Sequence, residues 1–483
     1  MGQGTSDREE WAGGADVIVI GAGPAGAAAA IAAADRGARP LVLEASTAPG
    51  GNCLYAAGFL FDSPSDALVE HLESLCFGRT ERGVLEAYAA GLRSLDRWLS
   101  GLGATTAVFD PPPGRLPASF PSWPSLPAGD TIGYRVIAGG EGRRGEALWQ
   151  VLESALRERA IELRTGVRAR ELLRDDTGAV TGVIAEQDGR RLALRAERGV
   201  VLASGGFEAD PALTDSFLPL GPCVAVGNSE NRGDGLRMAL TAGAALWHMY
   251  GFFGWFAFRA PQFAAAFAID FFAPSFLFVD ADGHRFGDET GFEVHDRLRA
   301  LTNYLPERPN RPRLPAYAIF DEAARLAGPL NGMLGSPNDY AWSPDNSAEV
   351  ECGWIARGES AAELAAAAGL PAATLERTLA RYQDAVRVGR DEDFGRAADT
   401  LVALEPPLYA IETWPGVAGT TGGPRHDACA RVLREDGGPV AGLYAAGSVS
   451  SVWGYLIEHG GGLTDALVFG RIAGEQAAGG GAR

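Results

Sequence analysis

Residues Asp16 to Gly58 constrain the fold more than any other part of the chain. Asp16-Val17-Ile18-Val19-Ile20 is a β-branched apolar run, long enough for one buried parallel strand. It passes directly into Gly21-Ala22-Gly23-Pro24-Ala25-Gly26, a G-x-G-x-x-G turn. Alanine-rich helix is expected from Ala25 to Asp35, ending at Arg36-Gly37, and Pro40-Leu41-Val42-Leu43 reads as a second strand with Glu44 at its end. Gly21 permits the tight turn, Gly23 lets backbone approach a pyrophosphate, and Gly26 lets helix pack on strand. The helix start then offers uncapped N–H groups and partial positive charge to phosphates. Glu44, 18 positions beyond Gly26, can accept from ribose hydroxyls, and its charge disfavours a 2′-phosphate. Strand, turn, helix, strand and acid in register predict an α/β dinucleotide-binding domain.

Composition bounds the remainder. A chain of 483 residues exceeds what one core supports, so a second domain or a large insertion is expected. Hydrophobic content of 46% with 21% charge is globular. A net charge of −19 argues against nucleic acid and anionic membrane surfaces as partners. All 42 basic residues are arginine, which excludes Schiff-base chemistry on lysine. The cysteines (Cys53, Cys76, Cys223, Cys352, Cys429) form no CxxC and read as reduced thiols of a cytoplasmic protein, with Cys53 a spectator beside the predicted site. The acidic start of the chain does not read as a signal peptide. The most apolar stretch, 251–279, is broken by Arg259, Pro261, Asp270 and Pro274 and is no membrane span. No metal-ligand spacing is present.

Further along, 59–110 shows helical apolar spacing, and the proline-rich segment 111–134, carrying Phe120 and Trp123, reads as a covering loop. Gly139-Gly140-Glu141-Gly142 precedes a helix expected from Gly145 to Arg159. Ten aromatic residues then crowd between Phe252 and Phe276, the composition of a large apolar cavity or core.

Beyond Glu44, the run Ala45-Ser46, Pro49-Gly50-Gly51-Asn52 and Ala56-Ala57-Gly58 resembles the fumarate reductase and 3-ketosteroid dehydrogenase flavoprotein superfamily. The resemblance extends through Ala203-Ser204-Gly205-Gly206-Phe207, Asn231-Arg232-Gly233-Asp234-Gly235, Gly419-Thr420-Thr421-Gly422-Gly423 and Gly460-Gly461-Gly462-Leu463-Thr464. It implies a Rossmann-like FAD-binding domain of the glutathione-reductase type (1–250 plus 408–483) with an inserted α+β capping and substrate-binding domain (251–407). It implies non-covalent FAD, because no family histidine for covalent linkage follows Gly50-Gly51. It assigns to FAD, besides the turn and Glu44, the residues Ala45, Ser46, Gly50, Gly51, Asn52, Ala57, Gly58, Val167, Ala203, Ser204, Gly205, Asp234, Gly447 and Ser448. To these it adds Gly462, Leu463 and Thr464, at a helix start aimed at the flavin. From the residues alone, Asp234 also reads as a helix N-cap.

The chain departs from the fumarate reductases at the chemistry. The family's substrate histidine falls on Gly419, one arginine on Glu458-His459, and the proton-donating arginine on 291–293. A dicarboxylate clamp is therefore absent. The C-terminal segments resemble ketosteroid dehydrogenases more closely, which places Tyr455 near their catalytic tyrosine, out of register by one residue. The acid/base candidates are Tyr455, His459, Glu458, Glu293 and His295. The expected activity is desaturation or reduction of a C–C bond next to a carbonyl in a hydrophobic, cyclic substrate, with an unidentified electron donor or acceptor. The alternative is a redox-neutral cyclase or isomerase in which FAD is structural, and a third reading is a non-catalytic flavin binder.

Overall fold

A computed structural model of the protein describes residues 11–110, 120–138, 144–302, 313–332 and 334–480. Pro111-Pro112-Pro113 and Gly139-Gly140-Glu141-Gly142 lie outside these. The apolar run after the N-terminal segment forms the strand Trp11–Ile20, which starts earlier than expected. It sits between the parallel strands Pro40–Leu43 and Arg190–Leu202, in register Ile20↔Leu43 and Ile20↔Leu202. Glu162–Arg164 and Pro439–Ala445 extend the parallel set on either side, with Leu43↔Arg164 and Ala445↔Leu202. The carboxyl ends of five parallel strands therefore lie along one edge, where open α/β sheets bind ligands. Arg431–Leu433, Arg168–Arg174 and Val180–Gln187 complete the sheet as antiparallel additions.

Close backbone packing explains the small residues. The helix Pro24–Asp35 buries its alanines against the C-terminal helix Gly461–Gly479. A Cβ on Gly470 would stand 2.4 Å from the Ala25 carbonyl, and one on Gly474 would stand 2.0 Å from that of Ala29. Gly26 is tighter still, its ideal Cβ falling 1.9 Å from the Gly21 carbonyl. The third glycine of the turn thus serves helix-on-strand contact.

The segment 59–110 is not continuously helical. Leu68–Cys76 and Arg82–Gly101 are helices, but Leu60–Asp62 and Thr106–Val108 are strands that flank Gly133–Ile137 in a small antiparallel sheet. Short strands of three residues carry too little alternation to show in sequence.

A second sheet runs Phe267–Ala268, Phe252–Phe258, Leu408–Thr420, Ala316–Asp321, Phe276–Val279, with Val224–Ala225 and Ala356–Gly358 also paired to Leu408–Thr420. Its longest strand, Leu408–Thr420, lies in the segment expected to belong to the first domain. The helices Ala361–Ala368 and Ala372–Val388 pack on it through Leu364, Leu375 and Leu379. Most of the crowded aromatics fill this unit's core: Phe252, Phe256, Phe258, Phe267, Phe271 and Phe276 are buried among one another. Among the described residues no helix is long and apolar enough to cross a membrane.

Candidate active site

The carboxyl edge of the first sheet opens into a long cleft, partly open to solvent. Nearly all residues expected to touch cofactor line it, from Gly21, Gly23, Pro24 and Ala25 to Gly447, Ser448, Gly462 and Leu463. Four do not. Gly26 packs against Gly21, Gly50 underlies Leu54, the Ser46 N–H donates to Glu44, and Thr464 Oγ1 pairs with the Tyr88 hydroxyl at 2.7 Å.

The fit to FAD rests on donors and open space. The helices Pro24–Asp35 and Gly461–Gly479 start at Gly23 and Gly460 with no side-chain cap, and both starts line the cavity. An ideal Cβ on Gly23 meets nothing within 4 Å, so backbone there is open to a pyrophosphate. The second helix start brings positive potential to the end of the cavity beside His459. Glu44 is held by the N–H groups of Ala22 at 2.7 Å and Ser46 at 2.8 Å, each on a different oxygen, which leaves acceptor capacity for ribose hydroxyls. Cys53 is a spectator: its thiol donates to the Gly145 carbonyl, and burial pushes its pKa up to about 12.

Asp234 is not an N-cap. The helix Asp234–Thr241 is capped by Gly233 in the left-handed region, and Asp234 pairs instead with Arg168, as does Glu230. Behind Asn52 and Asn231, which line the cavity, lies the buried Glu208, whose Oε1 accepts from both amides. Burial raises its pKa to about 7 against the pull of those donors. Neither Arg168 nor Glu208 stands out in the sequence, because an arginine in a strand and a glutamate after a Gly-Gly-Phe carry no local signature.

The acid/base candidates divide. His459, His295 and Glu458 line the cavity, and Glu293 stands directly behind the two histidines. Glu293 Oε1 accepts from His295 Nδ1 at 3.0 Å and lies 3.7 Å from His459 Nε2. Its Oε2 accepts the backbone N–H groups of His295 and Asp296. Burial raises the Glu293 pKa, but His295, His459 and these donors more than reverse this, lowering it to about 2. The carboxylate is thus ionised and accepts from His295 Nδ1–H. These three groups also place ligand atoms within 4.8 Å of one another, a spacing one cation could bridge. The Nδ1–H···Oε1 bond already uses the ring nitrogen and a lone pair that a metal would need.

Glu458 is fully buried and accepts from the Tyr134 hydroxyl at 2.5 Å and the Ser122 N–H at 2.9 Å, with His71 Nε2 3.3 Å from its other oxygen. Burial and the charge of Glu458 drive the Tyr134 hydroxyl pKa well above its ordinary range. Tyr455 does not line the cavity. Its ring lies between the Arg299 guanidinium, 4.1 Å away, and that of Arg79, 5.0 Å away, beside Phe77.

Aromatic residues finish the pocket. Phe59, Phe253 and Trp255 line it, the last two being the only members of the Phe252–Phe276 cluster to do so. Phe120 stacks on His459 with ring centroids 4.2 Å apart. Of the proline-rich segment, the described part from Phe120 onward packs on this histidine.

A parallel sheet with a glycine turn at its carboxyl edge and two uncapped helix starts at one cavity define a dinucleotide-binding α/β protein. The chain matches the FAD binding domain family over residues 16–463 and belongs to that family. Within it the chain falls in the fumarate reductase and 3-ketosteroid dehydrogenase flavoprotein superfamily. A 4-oxocyclohexanecarboxylate 2-dehydrogenase of Sinomonas cyclohexanicum is 28% identical over 90% of this chain and 87% of its own. A 3-oxosteroid 1-dehydrogenase of Mycolicibacterium smegmatis is 31% identical over 68% of this chain and 61% of its own. Among solved structures, a 3-ketosteroid Δ1-dehydrogenase from Sterolibacterium denitrificans, in complex with 1,4-androstadiene-3,17-dione, shares the fold. Its TM-score is 0.82 at 23% identity, over 96% of this chain and 99% of that one. The protein is an FAD-dependent dehydrogenase or reductase acting on carbon–carbon bonds, and its cofactor is FAD.

Proposed function

We propose that the protein desaturates, or in reverse reduces, the C–C bond next to the carbonyl of a hydrophobic cyclic ketone, with FAD held non-covalently. The observation that carries this reading is the pair His295 and His459, joined by one ionised carboxylate and set beside the helix start at Gly460 under the aromatic wall Phe59, Phe253 and Trp255. The 4-oxocyclohexane and 3-oxosteroid relatives support a cyclic ketone as substrate class. FAD, when bound, supplies the two-electron acceptance of a hydride from the β-carbon. The protein's own part is the proton. One histidine, as neutral imidazole, takes the proton from the α-carbon, and the other, as imidazolium, donates to the carbonyl oxygen and steadies the enolate. Glu293 compensates the single positive charge the pair carries. The aromatic wall excludes water and offers no counter-charge to a dicarboxylate. In this reading the second sheet and its helices are the cap, a cytoplasmic setting is retained, and an unidentified electron partner turns the flavin over.

The test is anaerobic mixing of the oxidised protein with saturated cyclic ketones, and of the reduced protein with the matching enones, while flavin absorbance is followed. Bleaching by ketone or recolouring by enone supports the reading. Conversion of substrate without any flavin change supports the redox-neutral alternative.

A further inference from the structure

Glu293 Oε1 has three donors around it: His295 Nδ1 at 3.0 Å, Ser122 Oγ at 3.2 Å and His459 Nε2 at 3.7 Å. The direction of the Ser122 hydroxyl follows from its other neighbour. The backbone N–H of His459, 3.3 Å from Ser122 Oγ, can only donate, so the hydroxyl accepts there and its one hydrogen goes to Glu293. Ser122 is buried and anchored by its own N–H on Glu458, which Tyr134 and His71 hold in turn.

A carboxylate oxygen offers about two lone-pair directions. Ser122 and His295 fill those of Oε1, and two backbone N–H groups fill those of Oε2 at 2.7 and 3.1 Å. His459 Nε2 therefore stands at ion-pair distance from Glu293, outside hydrogen-bond range of that oxygen. We propose, building on the acid/base role of the histidine pair, that Ser122 is a positioning residue: by occupying Glu293 Oε1 it keeps His459 off the carboxylate, so that His295 is the locked member of the pair and His459 the one that exchanges its proton with substrate.

Among the described residues, these charged and titratable groups face His459. Glu293 and His295 face it from the second unit, the His295 ring 4.5 Å away between centroids. Tyr134 lies 5.8 Å away in the same measure, and Glu458, the preceding residue, turns its carboxylate to Ser122, Tyr134 and His71. Phe59 and Phe120 pack on its ring, with the Arg144 guanidinium 5.5 Å from the Phe59 ring centroid. Deleting the Ser122 hydroxyl leaves all of these in place and vacates one lone pair of Oε1. His459 then closes on it, and direct contact with a carboxylate favours the imidazolium.

The experiment is a histidine-ring NMR titration of the FAD-loaded, substrate-free protein. The chain has six histidines, and comparison with His459→Gln assigns the resonance. Ser122→Ala is expected to move the His459 titration up by about one pH unit, as the ion pair with Glu293 closes to a hydrogen bond. Ser122→Thr, which keeps the hydroxyl, restores it, and Ser122→Cys, with a weak donor, moves it in the same direction as alanine. Flavin reduction by a saturated ketone then slows about tenfold in Ser122→Ala below the new pKa and recovers above it. A His459 titration unmoved by Ser122→Ala or Ser122→Cys, or moved as far by Ser122→Thr, would overturn the proposal. So would a rate loss that is uniform across pH. If His459→Gln keeps the full wild-type rate, the acid/base reading of the histidines fails instead, and the titration still decides whether Ser122 holds His459 from Glu293.

Discussion

Phe253 and Gly419 face one another across two antiparallel strands, and an ideal Cβ on Gly419 would lie 2.5 Å from the Phe253 Cζ. The position where dicarboxylate-reducing relatives are expected to carry a histidine is thus filled by an aromatic ring from the neighbouring strand. Gly419→His should be destabilised by about 1–3 kcal/mol through overpacking, and Phe253→Ala in the same chain should recover much of it. Thermal unfolding of both single variants and the double variant checks this. Additive losses would show that the two positions do not compete for space.

Glu44 joins the glycine turn to the ribose site. Glu44→Ala removes the acceptor of two backbone N–H groups and of the ribose hydroxyls. FAD retention should therefore weaken by about 1.5–3 kcal/mol for each charge-assisted hydrogen bond removed. Flavin fluorescence on dilution measures it. Release of flavin by mild acid denaturation of the wild type separately tests non-covalent attachment.

His459→Ala and His295→Ala should each slow flavin reduction or reoxidation by substrate about 10²-fold or more at unchanged FAD content. Tyr455→Phe should leave the rate near wild type, because the ring lies between Arg79 and Arg299 outside the cavity. Single-turnover absorbance traces of the three variants provide the comparison. A slow Tyr455→Phe with unaffected histidine variants would reverse the assignment.

The buried carboxylates have opposite pH signatures. Glu293 falls from an ordinary 4.5 to about 2 in the folded protein, so its ionisation stabilises the fold above pH ~4.5 and that stability is lost as pH falls toward 2. Glu208 rises to about 7, so the unfolded chain loses its proton first and stability declines as pH climbs from 4.5 to 7. Melting temperatures of Glu208→Gln should therefore exceed wild type at pH 8, with the gap closing toward pH 4.5. A constant gap across that range would mean that Glu208 is already ionised in the fold.

The cofactor half of the site is legible in the sequence because its constraints are local: Gly21, Gly23 and Glu44 fall within one strand–turn–helix–strand, and the second glycine-rich helix start has the same character. The catalytic half is assembled from distant segments. Ser122 and Phe120 come from a proline-rich loop, His295 and Glu293 from the second unit, and His459 from the last loop, so only the fold brings them together. Tyr455, expected near the flavin, has its ring against the Arg79 and Arg299 guanidiniums, contacts from segments far away in sequence. Most of the aromatic cluster is core and only Phe253 and Trp255 reach the cavity, a division hidden from composition, which does not tell which face of a strand points inward.

The most direct test of the central claim is anaerobic mixing of the oxidised, FAD-loaded protein with a series of saturated cyclic ketones and with succinate, followed by flavin absorbance. The account predicts bleaching with at least one ketone, slowed about 10²-fold or more in His459→Ala, and no bleaching with succinate. Bleaching by succinate at ordinary enzyme rates, or ketone conversion that leaves the flavin oxidised throughout, would contradict it.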